Sequence, residues 1–335
     1  MSNLTVPEKW IAITGCNGYI GGQTVLRFKD LGYKIIGVDR SNTSSWIKPY
    51  VDVFVQGDFT NGMFINIVID KNPKALIHIA GTSLVGPSIK DPSPYYVNNV
   101  GNTAKMLGLL AVRGWKKTVV FSSSAAVYGN PVKDNWLYET DPKTPMSPYG
   151  RSKLMAEQVL KDCVDSYGFK VVSLRYFNAC GGDRFVRHGQ MKQATHVIAR
   201  IMETIVDKGV FTLNGSDYNT PDGTCVRDYL HVEDIAEAHY LATLHDDPQI
   251  RYVEYNLGSG RGVSIKEIVS TVERITGRTV LLQTGPRREG DPDKLVACPD
   301  KIKKAIGWKA EHSSIDNIIK TAWEWYNSKE YKDRA

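Results

Sequence analysis

Trp10-Ile11-Ala12-Ile13-Thr14-Gly15-Cys16-Asn17-Gly18-Tyr19-Ile20-Gly21 is the stretch that decides the fold. Its first five residues form a continuous apolar run, as in a strand covered on both faces. The three glycines after it are spaced for a tight turn running into a helix. Gly15 permits the turn, Gly18 lets a phosphate approach the backbone, and Gly21 lets the helix lie close on the strand. A helix N-terminus at this point offers amide donors and positive potential to a pyrophosphate. Gly15, Gly18, Tyr19, Ile20 and Gly21 are therefore candidate contacts with a dinucleotide. The next strand, Lys34–Asp39, ends in a carboxylate placed to accept from adenosine ribose hydroxyls and to repel a 2′-phosphate. Arg40 beside it argues for NADP; the acid is weighed as decisive, and NAD is the expected cofactor.

On either side of this stretch the same rhythm continues. Short apolar runs at Val51–Gln56, Ala75–Ile79, Thr118–Ser122 and Lys170–Tyr176 alternate with helical patterns, including Pro94–Arg113 and Pro148–Tyr167. The alternation predicts an α/β fold with a Rossmann-type doubly wound parallel sheet. After Tyr176 the rhythm breaks into a Gly-rich loop, Asn178 to Gln190. Val253–Leu257 and Val280–Gln283 read as isolated strands, and Ile265–Thr276 and Ile315–Tyr326 as helices. The expected organisation is a NAD-binding domain over residues 1–177, with return segments near 227–257. A smaller mixed α/β substrate domain covers 178–226 and 258–335.

The totals agree with a two-domain globular enzyme: 335 residues, 42% hydrophobic and 23% charged. Met1 to Lys9 lacks the pattern of a signal peptide and no apolar run reaches membrane length, so a cytoplasmic location is expected. The five cysteines, Cys16, Cys163, Cys180, Cys225 and Cys298, lack metal-ligand spacing and read as reduced packing residues; no metal site is expected. The net charge of +6 is spread along the chain, and the densest run, Lys301, Lys303 and Lys304, reads as a solvated helix face. A nucleotide diphosphate fits that charge more economically than nucleic acid.

Chemistry is concentrated in Ser147-Pro148-Tyr149-Gly150-Arg151-Ser152-Lys153. Ser147 is a plausible N-cap and Pro148 a good first helical residue, which puts Tyr149 and Lys153 on one helix face. A free phenol titrates near 10, so a tyrosine base needs stabilisation of its phenolate, here expected from the ammonium and a nicotinamide ring. Taken alone, Tyr-x-x-x-Lys is more often a packed phenol beside a solvated amine. Phe121-Ser122-Ser123-Ser124 at the end of the preceding strand changes the balance, because Ser124 can bond a substrate hydroxyl where open α/β sheets bind ligands.

With these residues the chain resembles the extended short-chain dehydrogenase/reductase family and, within it, is similar nearly end to end to the UDP-galactose (UDP-glucose) 4-epimerases. The specific matches are Phe121-Ser-Ser-Ser-Ala-Ala-Val-Tyr-Gly129, the Ser147–Leu154 segment, Leu174-Arg-Tyr-Phe-Asn178, Asp217–His231 and Pro286-Arg-Arg-Glu-Gly-Asp291. The resemblance implies Ser124, Tyr149 and Lys153 as catalytic residues. It implies Asp58 and Phe59 at the adenine, Ala80 and Gly81 along the cofactor, and Tyr176 and Lys153 near the nicotinamide. It further implies Asn178, His196, Arg227 and Arg288 around UDP, with Asp291 on its ribose and Leu295 at the end of the sugar pocket. Guanidinium forks suit diphosphate oxygens on physical grounds as well. Two positions depart from the family: Ser83 stands where many members carry lysine, and His196 where some carry asparagine.

The reaction so implied is interconversion of UDP-glucose and UDP-galactose by NAD-mediated oxidation and re-reduction at C4, in a homodimer formed through the Pro94–Arg113 and Pro148–Tyr167 helices. Leucine at 295 suggests that UDP-N-acetyl sugars are accepted more slowly. The alternatives are an epimerase of UDP-N-acetylhexosamines or UDP-glucuronate, or a dehydratase or decarboxylase of the same family. Ala125 and Ala126 occupy positions where dehydration requires carboxylic acids, which counts against the last two. A non-catalytic NAD sensor usually lacks the tyrosine or the lysine, and both are present here.

Overall fold

The computed structural model describes residues 8–41, 46–130, 136–192, 195–287 and 291–334. Seven strands form the large sheet: β1 (Trp10–Thr14), β2 (Lys34–Asp39), β3 (Val53–Gln56), β4 (Ala75–His78), β5 (Thr118–Ser124), β6 (Lys170–Tyr176) and β10 (Tyr252–Leu257). Every pairing in it is parallel, in the order β10-β6-β5-β4-β1-β2-β3. The order turns back between β1 and β4, whose ends Thr14 and His78 lie side by side. A cleft at that point is where doubly wound sheets take their ligands.

Each face of this sheet has its own core. Helices Tyr19–Asp30 and Val232–Leu244 cover one, burying Val25, Phe28, Ile235 and Ala238. Helices Gly62–Lys71, 103–112 and Pro148–Tyr167 cover the other, burying Phe64, Met106, Leu107, Ala156 and Leu160. All five cysteines are buried free thiols. The run expected as one helix over Pro94–Arg113 is helical over 93–112, but Tyr96–Asn102 is wound as a π-helix. This wide turn, often found at functional sites, buries Asn98 and Asn99.

A smaller set of strands lies beyond β6. β7 (Asn178–Cys180) and β13 (Lys294–Leu295) run parallel to β9 (Val226–His231), and β11 (Gly262–Ser264) runs antiparallel to it. β8 (Phe211–Asn214) pairs in parallel with β12 (Leu282–Gly285). Helices Val197–Val206, Ile265–Thr276 and Ile315–Asn327 close a separate core around Met202, Tyr229 and Trp325. Two readings need correction. Neither late strand is isolated: Tyr252–Leu257 is the edge of the large sheet, and the second begins at Leu282 and pairs with β8. Val226–His231 is the centre of the small sheet, so the return to the large sheet is made by helix Val232–Leu244 and β10.

Candidate active site

The glycine turn is shaped by contacts that exclude side chains. Gly15 has φ +70, and a Cβ there would lie 2.8 Å from Ala80 N. A Cβ on Gly21 would meet the Gly15 carbonyl oxygen at 1.9 Å. At Gly18 the nearest protein atom would be 3.4 Å away, so the protein leaves room over that residue. Gly18 also caps helix Tyr19–Asp30 without a side-chain bond. An open cradle at a helix N-terminus is what a pyrophosphate requires. Asp39 lies across the turn, accepting from Asn17 N at 3.0 Å and from the Ser41 hydroxyl at 2.7 Å. These residues fit a dinucleotide.

The other residues expected at the cofactor differ in their surroundings. Asp58 is half-buried and holds Thr60 through its backbone and hydroxyl. Phe59 is packed under the sheet with its ring edge-on to His78, so its ring belongs to the core. Ala80 N is shared by Thr14 O at 3.2 Å and Thr14 Oγ1 at 3.1 Å. Gly81 is half-buried, and Lys153 Nζ approaches to 3.4 Å of where its Cβ would stand. Tyr19 donates to the Gly181 carbonyl at 2.7 Å, tying the turn to the loop after β7, and Ile20 packs partly buried beside it. Ser83 is exposed.

Helix Pro148–Tyr167 begins as its sequence requires, with Ser147 Oγ accepting from Gly150 N at 3.1 Å and Pro148 in the first turn. Gly150 has no Cβ; one would sit 2.4 Å from the Ala126 carbonyl oxygen, so the helix presses directly on the turn after β5. That contact brings the Tyr149 phenol close to Ser124. Burial raises the Tyr149 pKa, Ser124 pulls it down and the Tyr95 phenol pushes it up. Lys153 is buried, donates to the Ser122 carbonyl at 2.7 Å, and lies 4.9 Å over the Phe121 ring. Burial lowers its pKa to about 8, against the lifting effect of Glu157. The lowering of the phenol expected from the sequence is therefore not delivered by the chain's own groups.

Several residues that hold this arrangement were not anticipated. Glu157, one turn beyond Lys153, accepts from Ser123 Oγ at 2.6 Å and from Arg175 Nε and Nη2 at 2.9 and 2.7 Å. Arg175 continues to Tyr128 Oη at 2.8 Å, and Tyr128 donates to Asn256 at 2.6 Å. His78 is fixed between Thr14 at 2.8 Å and Thr103 at 2.9 Å. Asn99 accepts from Thr82 N and donates to Ser152 Oγ, joining the π-helix to the catalytic helix. The one signal available was polarity in stretches that otherwise read as apolar or helical.

On the small-sheet side, Asn178, Arg227 and Leu295 lie on the neighbouring strands β7, β9 and β13. Asn178 donates to the Asp228 carbonyl at 2.8 Å. Arg227 pairs with Asp291 at 2.5 Å; Asp228 beside it is buried and accepts from Ser259, Gly260 and Ala297. Leu295 packs against the cluster of Ala125, Val127, Tyr128 and Phe177. His196 sits exposed at the start of helix Val197–Val206, 3.1 Å from Gln190 Nε2. Arg288 lies outside the described residues. Among the described residues no group of three or more His, Cys, Asp or Glu could hold a metal ion.

A turn shaped for a dinucleotide, facing a serine, tyrosine and lysine at the sheet ends, defines a nucleotide-dependent enzyme of carbon–oxygen chemistry. Residues 11–258 match the model of the NAD dependent epimerase/dehydratase family, and the chain belongs to that family. It is 38% identical to the UDP-glucose 4-epimerase of Azospirillum brasilense, over 98% of this chain and 95% of that one. The crystal structure of UDP-glucose 4-epimerase from Brucella ovis in complex with NAD superposes with a TM-score of 0.90 at 38% identity, covering 95% of this chain and 98% of the other. The UDP-Glc/GlcNAc 4-epimerase of Campylobacter jejuni superposes with a TM-score of 0.80 at 32% identity, covering 95% and 99%.

Proposed function

We propose that the chain interconverts UDP-glucose and UDP-galactose by oxidising and re-reducing the sugar at C4. The observation that carries this reading is that Tyr149 and Ser124 meet at the carboxyl end of β5, one helical turn from a buried Lys153. Tyr149 takes the proton of the sugar 4-hydroxyl and returns it after inversion. Ser124 bonds the same oxygen and shares its proton. Lys153, anchored on the Ser122 carbonyl, orients the cofactor ribose. NAD, when bound over the glycine turn and Asp39, would supply the hydride acceptor and donor for C4 and a positive charge that favours the Tyr149 phenolate.

Inversion requires a sugar that can turn over, so affinity has to come from the UDP half. Asn178, His196, Arg227, Arg288 and Asp291 are the proposed holders of that half, with Leu295 bordering the sugar. Arg227 and Asp291, paired at 2.5 Å, bring a guanidinium for the diphosphate and a carboxylate for the ribose to one place. The helices 93–112 and Pro148–Tyr167 expose Val97, Val112 and Met155 at 58%, 89% and 48%, and a second copy of the chain covers them in the proposed homodimer. No helix among the described residues is long and apolar enough to cross a membrane; a cytoplasmic location is part of the proposal.

The test is to release and identify the cofactor of the purified protein, then incubate the holoprotein with UDP-galactose. NAD and UDP-glucose are the expected products of the two steps, with no free NADH accumulating. Continuous NADH release marks a net dehydrogenase instead, and no turnover of any UDP-sugar revives the non-catalytic sensor.

A further inference from the structure

His239 has no exposed surface and lies in helix Val232–Leu244, outside every position assigned above to cofactor or substrate. Its neighbours fix where its proton sits. Thr24 donates its single hydroxyl proton to the Ile20 carbonyl at 2.8 Å, so toward His239 Nδ1, 2.9 Å away, its oxygen accepts. Nδ1 therefore carries the imidazole hydrogen. Burial keeps the ring neutral, with its pKa lowered to about 3. Nε2 is then a bare acceptor, and its partner is the Tyr176 hydroxyl, which must donate. Ser122 and Tyr149 are also close to this phenol. With its own proton committed to His239, the Tyr176 oxygen can accept from these neighbours but not donate to them. All donors in this buried series point one way, from Tyr176 through His239 and Thr24 to the Ile20 carbonyl in the first turn of the helix after the glycine turn.

We propose that His239 is a positioning residue: by accepting the hydrogen bond of the Tyr176 hydroxyl it turns the negative end of that dipole toward Ser122 and Tyr149 at the catalytic end of the cleft. The inference rests on the reading of the site as NAD-dependent. A fixed negative end beside the ring favours the oxidised, positively charged cofactor over its neutral reduced form. The consequence is that little of the enzyme rests with reduced cofactor between turnovers.

The experiment compares His239→Asn, which keeps a donor toward Thr24 and withdraws the acceptor from Tyr176, with His239→Gln, which restores an acceptor near Nε2. Both are made in wild-type holoprotein and in Tyr176→Phe. His239→Asn is expected to lower kcat about tenfold, the scale of one lost hydrogen bond, with KM within about twofold. It should also hasten reduction of bound NAD by cyanoborohydride, while His239→Gln recovers on both measures. In Tyr176→Phe the asparagine substitution should change nothing further. Equal impairment by Asn and Gln, or losses that simply add in Tyr176→Phe, overturns the proposal. So does a 15N imidazole spectrum of the holoprotein showing His239 protonated at Nε2 or at both nitrogens. The spectrum and the cyanoborohydride rates are read without UDP-sugar turnover, so a failed epimerase assay leaves them decisive.

Discussion

Two ion pairs flank the proposed site, and they are built differently. Glu157–Arg175, behind the catalytic helix, is 4% and 3% exposed and has further partners in Ser123 and Tyr128. Arg227–Asp291, at the nucleotide end, is 10% and 26% exposed, with Tyr218 3.3 Å from the second Asp291 oxygen. The first joins β5, β6 and the catalytic helix, fixing Ser124, Tyr149 and Lys153 relative to one another. The second joins a half-buried carboxylate to a guanidinium that also donates to the Val226 and Pro292 carbonyls. Reacting groups are held by residues that do not react, whereas the proposed binding groups hold each other and the backbone beside them.

The largest expected effect tests the rigid end. Tyr149→Phe should retain NAD and lose roughly two to four orders of magnitude in turnover, the range for a positioned acid/base. A near wild-type rate sinks the mechanism. Next, Glu157→Gln strands a buried guanidinium and should cost about 3–5 kcal/mol of folding stability in a denaturant titration. Asp291→Asn should cost about 1 kcal/mol or less, while raising KM for UDP-sugars. Equal losses of stability from the two substitutions would erase the contrast between the pairs.

A pH profile gives a smaller effect. With Lys153 at about 8 and its ammonium required, kcat/KM should fall as pH rises through 8, approaching tenfold per unit. The sign for stability is opposite. Between about 8 and the ordinary lysine value of 10.5 the unfolded chain holds the extra proton, so this group adds stability as pH rises. Activity loss that tracks unfolding across that window would remove Lys153 as its cause. The smallest effect concerns Leu295. Leu295→Tyr should favour plain hexoses and Leu295→Ser the N-acetyl sugars, with the kcat/KM ratio moving at least about threefold each way. Ratios that stay within threefold mean Leu295 only fills the cluster around Phe177.

What was legible in the sequence was local. β1, the glycine turn, Asp39 and the capped helix from Pro148 to Tyr167 are specified by residues within a few positions of each other. Partners distant in the chain were not. Tyr252–Leu257 finds its place only by pairing with Lys170–Tyr176, and Leu282–Gly285 with Phe211–Asn214. The polar braces were hidden for a related reason. A glutamate one turn after Lys153 or a histidine in Val232–Leu244 reads as solvated until the packing of the helix is known, and both are buried. The burial of the Phe59 ring in the core was hidden in the same way.

The π-helical segment Tyr96–Asn102 has an implication for how this chain can change over time. Such a turn is one residue longer than its α-helical equivalent, an insertion absorbed without breaking the helix. Removing one residue there would restore regular winding and, because the wide turn had already absorbed the extra one, leave the two flanking parts of the helix nearly in their present phase. Met106, Leu107 and Leu110 would stay in the core beneath the sheet, and the bonds from Asn99 to Thr82 and Ser152 would be the part disturbed. A single-codon deletion is therefore a change that reaches the site and spares the fold.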